Sequence, residues 1–368
     1  MLRIITVFMG NIGALVLLNA TSALAQVDSV RASTLPGRQV AEKAYNAGLT
    51  SFTARNYPAA LTSFDQALVA KPDFAAAYAN RAATRLALKE YPAAVADYNQ
   101  ALKLEPGAYA AHFGRGQAYE AAGQAPEAEV DYGEALKANP AYAPAWYNRG
   151  VLRFEHGEYQ AAHDDFSGAV KADSAYAYAY HDRASASLRL GNFAAAVPDY
   201  SHALALQPTL LPALLNRAAA ERRAGQLPAA LRDYDAYLAK KPDNALAFSN
   251  RGNVRFDSKD YAGAVADFSK AIALDASYAY AWNNRAAAEL KLEQYAKASA
   301  DATEALRLNP RYAEAYLNRG HAREMLRQAD EACQDWRRAA TLGLAVGNRY
   351  AAAAGCAGEA AEDAADTK

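Results

Sequence analysis

Residues 143–176 read APAWYNRGVLRFEHGEYQAAHDDFSGAVKADSAY, and residues 177–210 read AYAYHDRASASLRLGNFAAAVPDYSHALALQPTL. Set one above the other, Arg149 meets Arg183, Ala162 meets Ala196, Asp165 meets Asp199, and the ring of Phe166 meets that of Tyr200. The register extends in both directions. Arg81, Arg115, Arg149, Arg183, Arg217, Arg251, Arg285 and Arg319 are each 34 residues apart, with no insertion or deletion. A fixed period of this size marks an array of supersecondary units rather than a single globular core.

With these arginines at position 7, nine frames cover 41–346: 41–74, 75–108, 109–142, 143–176, 177–210, 211–244, 245–278, 279–312 and 313–346. Position 20 is Ala in all nine frames, and position 8 is always Gly or Ala. Position 23 is Asp97, Asp131, Asp165, Asp199, Asp233, Asp267, Asp301 or Asp335, with Ser63 in the first frame. Position 24 is aromatic except at Ala302, position 27 is Ala except at Tyr237, and Pro recurs at position 32. The chain holds 95 Ala in 368 residues. Alanine has the best helix propensity and lets helices approach closely. Val, Ile and Thr are too sparse for a β-rich fold.

These columns resemble the tetratricopeptide repeat, a 34-residue helix–turn–helix unit. The resemblance implies an all-α, right-handed superhelical solenoid of stacked repeats. One departure is position 11, where the family usually carries Tyr. Here only Tyr119 does so, beside Arg85, Arg153, Glu221 and Arg323, while position 12 carries Phe52, Leu86, Phe154, Leu188, Phe256 or Leu290. Positions 4, 8 and 12 form one stripe of the first helix, and positions 20, 24 and 27 one of the second. Gly123, Gly157, Gly191 and Gly225 at position 15 suit a helix end that turns through positive φ. Pro58, Pro92, Pro126 and Pro228 at position 18 suit the first turn of the second helix. One unit cannot bury its apolar face alone, so neighbours must stack.

Outside the frames, residues 1–25 read as a secretory signal. Arg3 precedes an apolar core, and Ala23-Leu24-Ala25 fits a small-x-small cleavage site after Ala25. The core is shorter than a bilayer span requires. The segment resembles a bacterial secretory signal, so a periplasmic or secreted location is expected, with no membrane insertion after cleavage. Residues 26–40 are expected to be a mobile linker, 347–358 a capping helix and 359–368 a disordered acidic tail. Cys333 and Cys356 are the two cysteines. An even count in an exported chain favours a disulfide clamping the cap to the last repeat.

Lys plus Arg number 39 and Asp plus Glu 40, for a formal charge of −1. That balance lacks the surplus positive charge of a nucleic-acid binder. Arg81, Arg115, Arg149, Arg183, Arg217, Arg251, Arg285 and Arg319 recur with the Asp column, and the first frame lacks both. The two columns are therefore expected to pair as a structural ladder rather than to bind an anionic ligand.

Position 6 is Asn in seven frames, including Asn250, Asn284 and Asn318. In family members that grip acidic chaperone tails, Asn here joins basic neighbours, which are missing in this chain. The resemblance places positions 2, 5, 9 and 12 on the concave side. Groove candidates are thus Tyr45, Phe113, Tyr147, Tyr178, Leu215, Tyr280 and Leu317, with Asn250, Asn284 and Asn318 beside them. No HExxH, cysteine–histidine zinc pattern, phosphate loop or GxSxG occurs. His163-Asp164 and His181-Asp182 fall inside the repeat columns. No enzyme activity, metal or cofactor is expected. The leading reading is an exported scaffold binding a partner peptide in its groove, with a role in assembling an envelope or secretion complex as the expectation. The alternative is a scaffold that assembles with copies of itself.

Overall fold

The computed structural model describes residues 36–356, which form nineteen α-helices and no strand. The signal segment, residues 26–35 of the expected linker, and residues 357–368 lie outside the described residues. Packing divides the rest into an N-terminal unit ending at Pro208 and a C-terminal unit starting at Thr209.

The N-terminal unit holds five helix pairs. They are α1 (Pro36–Thr53) with α2 (Tyr57–Ala70), α3 (Ala75–Ala87) with α4 (Tyr91–Leu104), α5 (Tyr109–Ala121) with α6 (Ala125–Ala138), α7 (Ala143–Glu155) with α8 (Tyr159–Ala172), and α9 (Ala177–Arg189) with α10 (Phe193–Leu206). The C-terminal unit holds four: α11 (Leu211–Arg223) with α12 (Leu227–Lys240), α13 (Ala245–Asp257) with α14 (Tyr261–Leu274), α15 (Ala279–Lys291) with α16 (Tyr295–Leu308), and α17 (Ala313–Met325) with α18 (Ala329–Thr341). A last helix, α19 (Val346–Ala353), follows. Each pair is one 34-residue frame, and the chain is an all-α repeat solenoid.

Two boundaries differ from the sequence reading. Residues 36–40 are helical, not linker, because α1 starts at Pro36. Proline is preset for a first helical turn, and Arg38 Nε then donates to Glu42 Oε1 at 3.0 Å one turn on. The cap helix stops at Ala353, and Gly355 takes φ +71° just beyond it.

The turn inside each frame is uniform. Position 15 has positive φ at Gly123, Gly157, Gly191 and Gly225, and also at Arg55, Lys89, Lys259, Glu293 and Arg327. The next N–H folds back onto the position 11 carbonyl, as Glu90 N to Arg85 O does at 2.9 Å. This satisfies carbonyls that a helix end would orphan. The turn is imposed by packing in the five frames that lack Gly.

The core lies between the helices of a pair and their neighbours. The position 20 alanines and the rings of Phe64, Tyr132, Phe166, Tyr200, Tyr234 and Phe268 are fully buried. Each such ring removes enough apolar surface to contribute about 2 to 3 kcal/mol. Position 8 must be small because the ring fills its space. A Cβ on Gly150 would come within 2.8 Å of the Phe166 ring, and one on Gly320 within 2.5 Å of Trp336. The position 12 residues Phe52, Leu86, Phe154 and Leu188 are buried. Phe52 meets Tyr57 at 5.7 Å and Phe154 meets Tyr159 at 5.2 Å across the turn.

Candidate functional site

Each arginine of the column is paired with the aspartate sixteen residues on. Arg81 donates Nε and Nη2 to the two oxygens of Asp97 at 2.8 and 2.6 Å. The same fork joins Arg115 to Asp131, Arg149 to Asp165, Arg183 to Asp199, Arg217 to Asp233, Arg251 to Asp267, Arg285 to Asp301, and Arg319 to Asp335. Planar, two-pronged pairing of this kind fixes orientation as well as charge. Burial works against the Asp131 carboxylate, yet Arg115 and His112 hold its carboxyl below the ordinary range.

A third prong reaches back to the preceding frame. Arg81 Nη1 donates to Asp65 at 2.6 Å, Arg251 Nη1 to Asp235 at 2.7 Å, and Arg285 Nη1 to Ser269 at 3.0 Å. The guanidinium also lies over the position 4 ring: Arg149 over Trp146 at 5.0 Å and Arg285 over Trp282 at 4.9 Å. Those indoles donate to position 32 carbonyls one frame earlier, Trp146 Nε1 to Pro140 O at 2.8 Å and Trp282 Nε1 to Ala276 O at 3.0 Å. The column therefore staples three helices together and offers no open cation to an anionic ligand. The sequence reading missed the position 4 and position 25 partners. The signal was present: Tyr78, Trp146, Tyr180, Phe248, Trp282 and Tyr316 each stand three residues before an arginine.

The groove candidates separate into two groups. Tyr45, Phe113, Tyr147 and Leu215 are buried, which removes them from any accessible surface. The Tyr45 ring packs against Phe64 and Phe74, and its hydroxyl accepts from Asn80 Nδ2 at 2.8 Å. Burial pushes that phenol up to about 12. Phe113 lies between Tyr132 and Tyr142. Tyr147 packs against Phe166 and Tyr176 and donates to Asp182 Oδ2 at 2.7 Å. The reason is geometric: a position 5 side chain points at position 6 of the next frame, so these rings are inter-repeat core. His181 and Asp182 belong to that core. Both are fully buried, with His181 Nδ1 at 2.7 Å from Asp182 Oδ1. No group of three or more His, Cys, Asp or Glu among the described residues is placed to hold a metal ion.

The second group gathers on the first helices of frames 7–9. Tyr280 is 40% exposed, and its ring lies 5.5 Å from Tyr312. Asn284 Nδ2 donates to Asn253 Oδ1 at 2.9 Å, and Asn318 Nδ2 to Asn283 Oδ1 at 2.9 Å. Asn253 and Asn283, absent from the sequence candidates, thus join the amide row. Asn250 is buried. Leu317 is half-buried and packs instead toward Trp336 at the array's end. Tyr178, in the N-terminal unit, is half-buried and accepts from Gln207 Nε2 at 3.3 Å.

At that end α19 covers Trp336, whose ring lies 6.0 Å from Tyr350. His321 sits between them, 5.6 Å from Trp336 and 4.4 Å from Tyr350, and burial pushes it below the ordinary imidazole range. Cys333 of α18 and Cys356 beyond α19 have their Cα atoms 5.7 Å apart. No described helix is long and apolar enough to cross a membrane.

Comparison with known proteins yields families and folds. Profiles described as tetratricopeptide repeat match residues 45–100, 80–144, 131–177, 147–211 and 181–245, and a further one matches 279–312. A profile described as TPR repeat matches 252–293. Among solved structures, the Cut9–Hcn1 hetero-tetramer of the APC/C aligns with a TM-score of 0.50 at 15% identity, over 85% of this chain and 76% of that one. Yeast Tom70 aligns at 0.44 and 15% identity, over 86% and 96%. YrrB, a TPR protein with an unusual peptide-binding site, aligns at 0.46 and 22% identity, over 50% and 95%. No curated protein matches. Tetratricopeptide folds generally mediate protein–protein interaction and scaffolding, and are typically non-enzymatic. The overlapping profile matches span more than half of the 368 residues, each on the helix pairs described above, and the chain belongs to the tetratricopeptide-repeat family.

Proposed function

We propose that the protein is an exported scaffold that binds an extended segment of a partner protein along the first helices of frames 7–9. The observation that carries this reading is the exposed Tyr280 beside the amide row Asn253, Asn284, Asn283 and Asn318. A side-chain amide has two donors and an acceptor. The row's internal bonds leave Asn253 Nδ2 and Asn318 Oδ1 for a partner's backbone. An aromatic ring beside such amides offers amphipathic area at low entropic cost. Recognition is then non-covalent, with backbone hydrogen bonds giving affinity and Tyr280 giving selectivity.

Export follows from the signal read in residues 1–25, with Gln26 as the mature N-terminus. An oxidising compartment would let Cys333 and Cys356 bond and hold α19 on the last repeat. The test is photo-crosslinking in the native cell from Tyr280, with Lys270 on α14 as control. Discrete capture of another protein from Tyr280, lost in Asn284→Ala/Asn318→Ala, supports the reading. Capture of the chain itself replaces it with self-assembly. Capture from neither position, or from both alike, overturns it. Terminal sequencing of the mature protein tests cleavage: a start other than near Gln26 sinks the export reading.

A further inference from the structure

The rungs of the arginine ladder are not alike, and position 11 makes the difference. In frames 2, 4, 7 and 9 it is an arginine that caps the same aspartate a second time. Arg85 reaches Asp97 at 2.8 Å, Arg153 reaches Asp165 at 2.9 Å, Arg255 reaches Asp267 at 3.1 Å, and Arg323 reaches Asp335 at 2.7 Å. Frames 6 and 8 carry Glu221 and Glu289 at that position. The second cation is thus replaced by a second carboxyl, beside Asp233 and Asp301.

Neither glutamate turns away to solvent. Glu221 is 6% exposed and Glu289 4%. The Oε2 atom of each has no hydrogen-bond partner. The charge of Asp301 acts on Glu289, as that of Asp233 acts on Glu221, against the ionised form. Two neighbouring carboxylates repel unless one of them holds a proton. The one arginine of each rung is already committed to the aspartate through its fork. Arg217 Nε also stands 4.0 Å from Glu221 Oε1, so one guanidinium serves two carboxyls in that rung, and a buried carboxylate with only a shared counter-charge takes up a proton rather than remain ionised.

We propose that Glu221 and Glu289 are proton-holding positions of frames 6 and 8, so that the C-terminal unit tightens on acidification and loosens as the pH rises toward neutrality. The groups acting on Glu221 are Asp233 and Arg232 of α12 and Arg217 of α11. Those acting on Glu289 are Asp301 and Lys297 of α16 and Arg285 of α15. In both cases burial is the largest influence and the neighbouring aspartate the next, and together they push each carboxyl up to about 7 from an ordinary 4.5. A raised carboxyl stabilises the fold fully below its unfolded value and loses that contribution as pH rises through its folded value. The window therefore runs from about 4.5 to about 7. Within it, each group changes the unfolding equilibrium by up to about tenfold per pH unit, in the direction of greater stability at lower pH. This is opposite to the usual acid sensitivity of paired carboxylates. The inference does not rest on the partner-binding reading.

The test uses the full mature chain and compares it with Glu221→Gln, Glu289→Gln and the double variant from pH 5 to 8. Glutamine keeps the shape and cannot ionise. Histidines titrate in the same range, so the difference between wild type and variant is the quantity read. The expected result is a wild-type melting temperature that falls with rising pH more steeply than that of the double variant, with the two converging at pH 5. Equal slopes overturn the proposal. Should the variants fail to fold, infrared spectroscopy of the wild type decides. A protonated-carboxyl band present at pH 6 and titrating away near pH 7 is expected, and its absence at pH 6 overturns the assignment.

Discussion

Frames 7 and 8 are adjacent, equal in length and built on the same columns, yet they handle charge in opposite ways. In frame 7, Asp267 is held by Arg251 and Arg255, two cations on one carboxylate. In frame 8, Asp301 and Glu289 share the single Arg285. The helices hardly register the change, since α13 and α15 each run thirteen residues. A repeat thus tolerates reversal of a buried charge provided that something neutralises it: a second guanidinium in one case, a proton in the other. The lesson is that the position 23 aspartate is the anchor of the rung, and position 11 sets its pH response.

The sharpest way to break this comparison is to remove the anchors. Asp267→Ala leaves two partly buried guanidinium groups facing each other, and should cost about 3 to 5 kcal/mol. Asp301→Ala also relieves Glu289, so its cost should be under half of that. Hydrogen exchange within α13–α16 reads both locally, which matters because repeat arrays do not unfold as one two-state unit. Equal costs would show that Glu289 carries no burden in the native rung.

A second comparison concerns ring space. Gly150→Ala drives a methyl into Phe166 and should destabilise by about 2 kcal/mol, as overpacking does. Frame 8 has Ala286 facing the small Ala302, so Ala286→Gly should cost only about 1 kcal/mol, chiefly in helix propensity. Urea unfolding of each variant measures the contrast. A third change converts frame 8 into frame 7: Glu289→Arg should add about 1 kcal/mol at pH 8 and nothing at pH 5, read by thermal melting. The smallest effect lies at position 15. Lys259→Gly should stabilise by somewhat under about 1 kcal/mol, because the lysine already sits at positive φ, while Gly225→Ala should cost a similar amount. Both signs are needed; if either fails, the turn is not the source of strain.

The nine frames, the helix pairs, the small residues under each ring and the Arg–Asp pairing could all be read from columns, because each depends on spacing along one chain. The turn at position 15 was legible only where it is Gly. In the other five frames packing imposes it on Arg, Lys or Glu, which local propensity disfavours. The groove candidates show the same limit. Tyr45, Phe113 and Tyr147 look like recognition residues in a list of aromatic positions, but the stacking of successive frames turns them inward.

The sequence by itself determined the period, the helical content and the family, since a 34-residue repeat of alanines, rings and caps admits one kind of local unit. Only the tertiary structure decided which positions face solvent. Exposure depends on the angle between successive pairs, set by side chains 34 or 35 residues apart. It buried the tyrosines of position 5, left Tyr280 partly exposed beside its asparagines, and set two glutamates beside aspartates with one arginine shared in each rung. Those are relations between frames, and no single frame contains them.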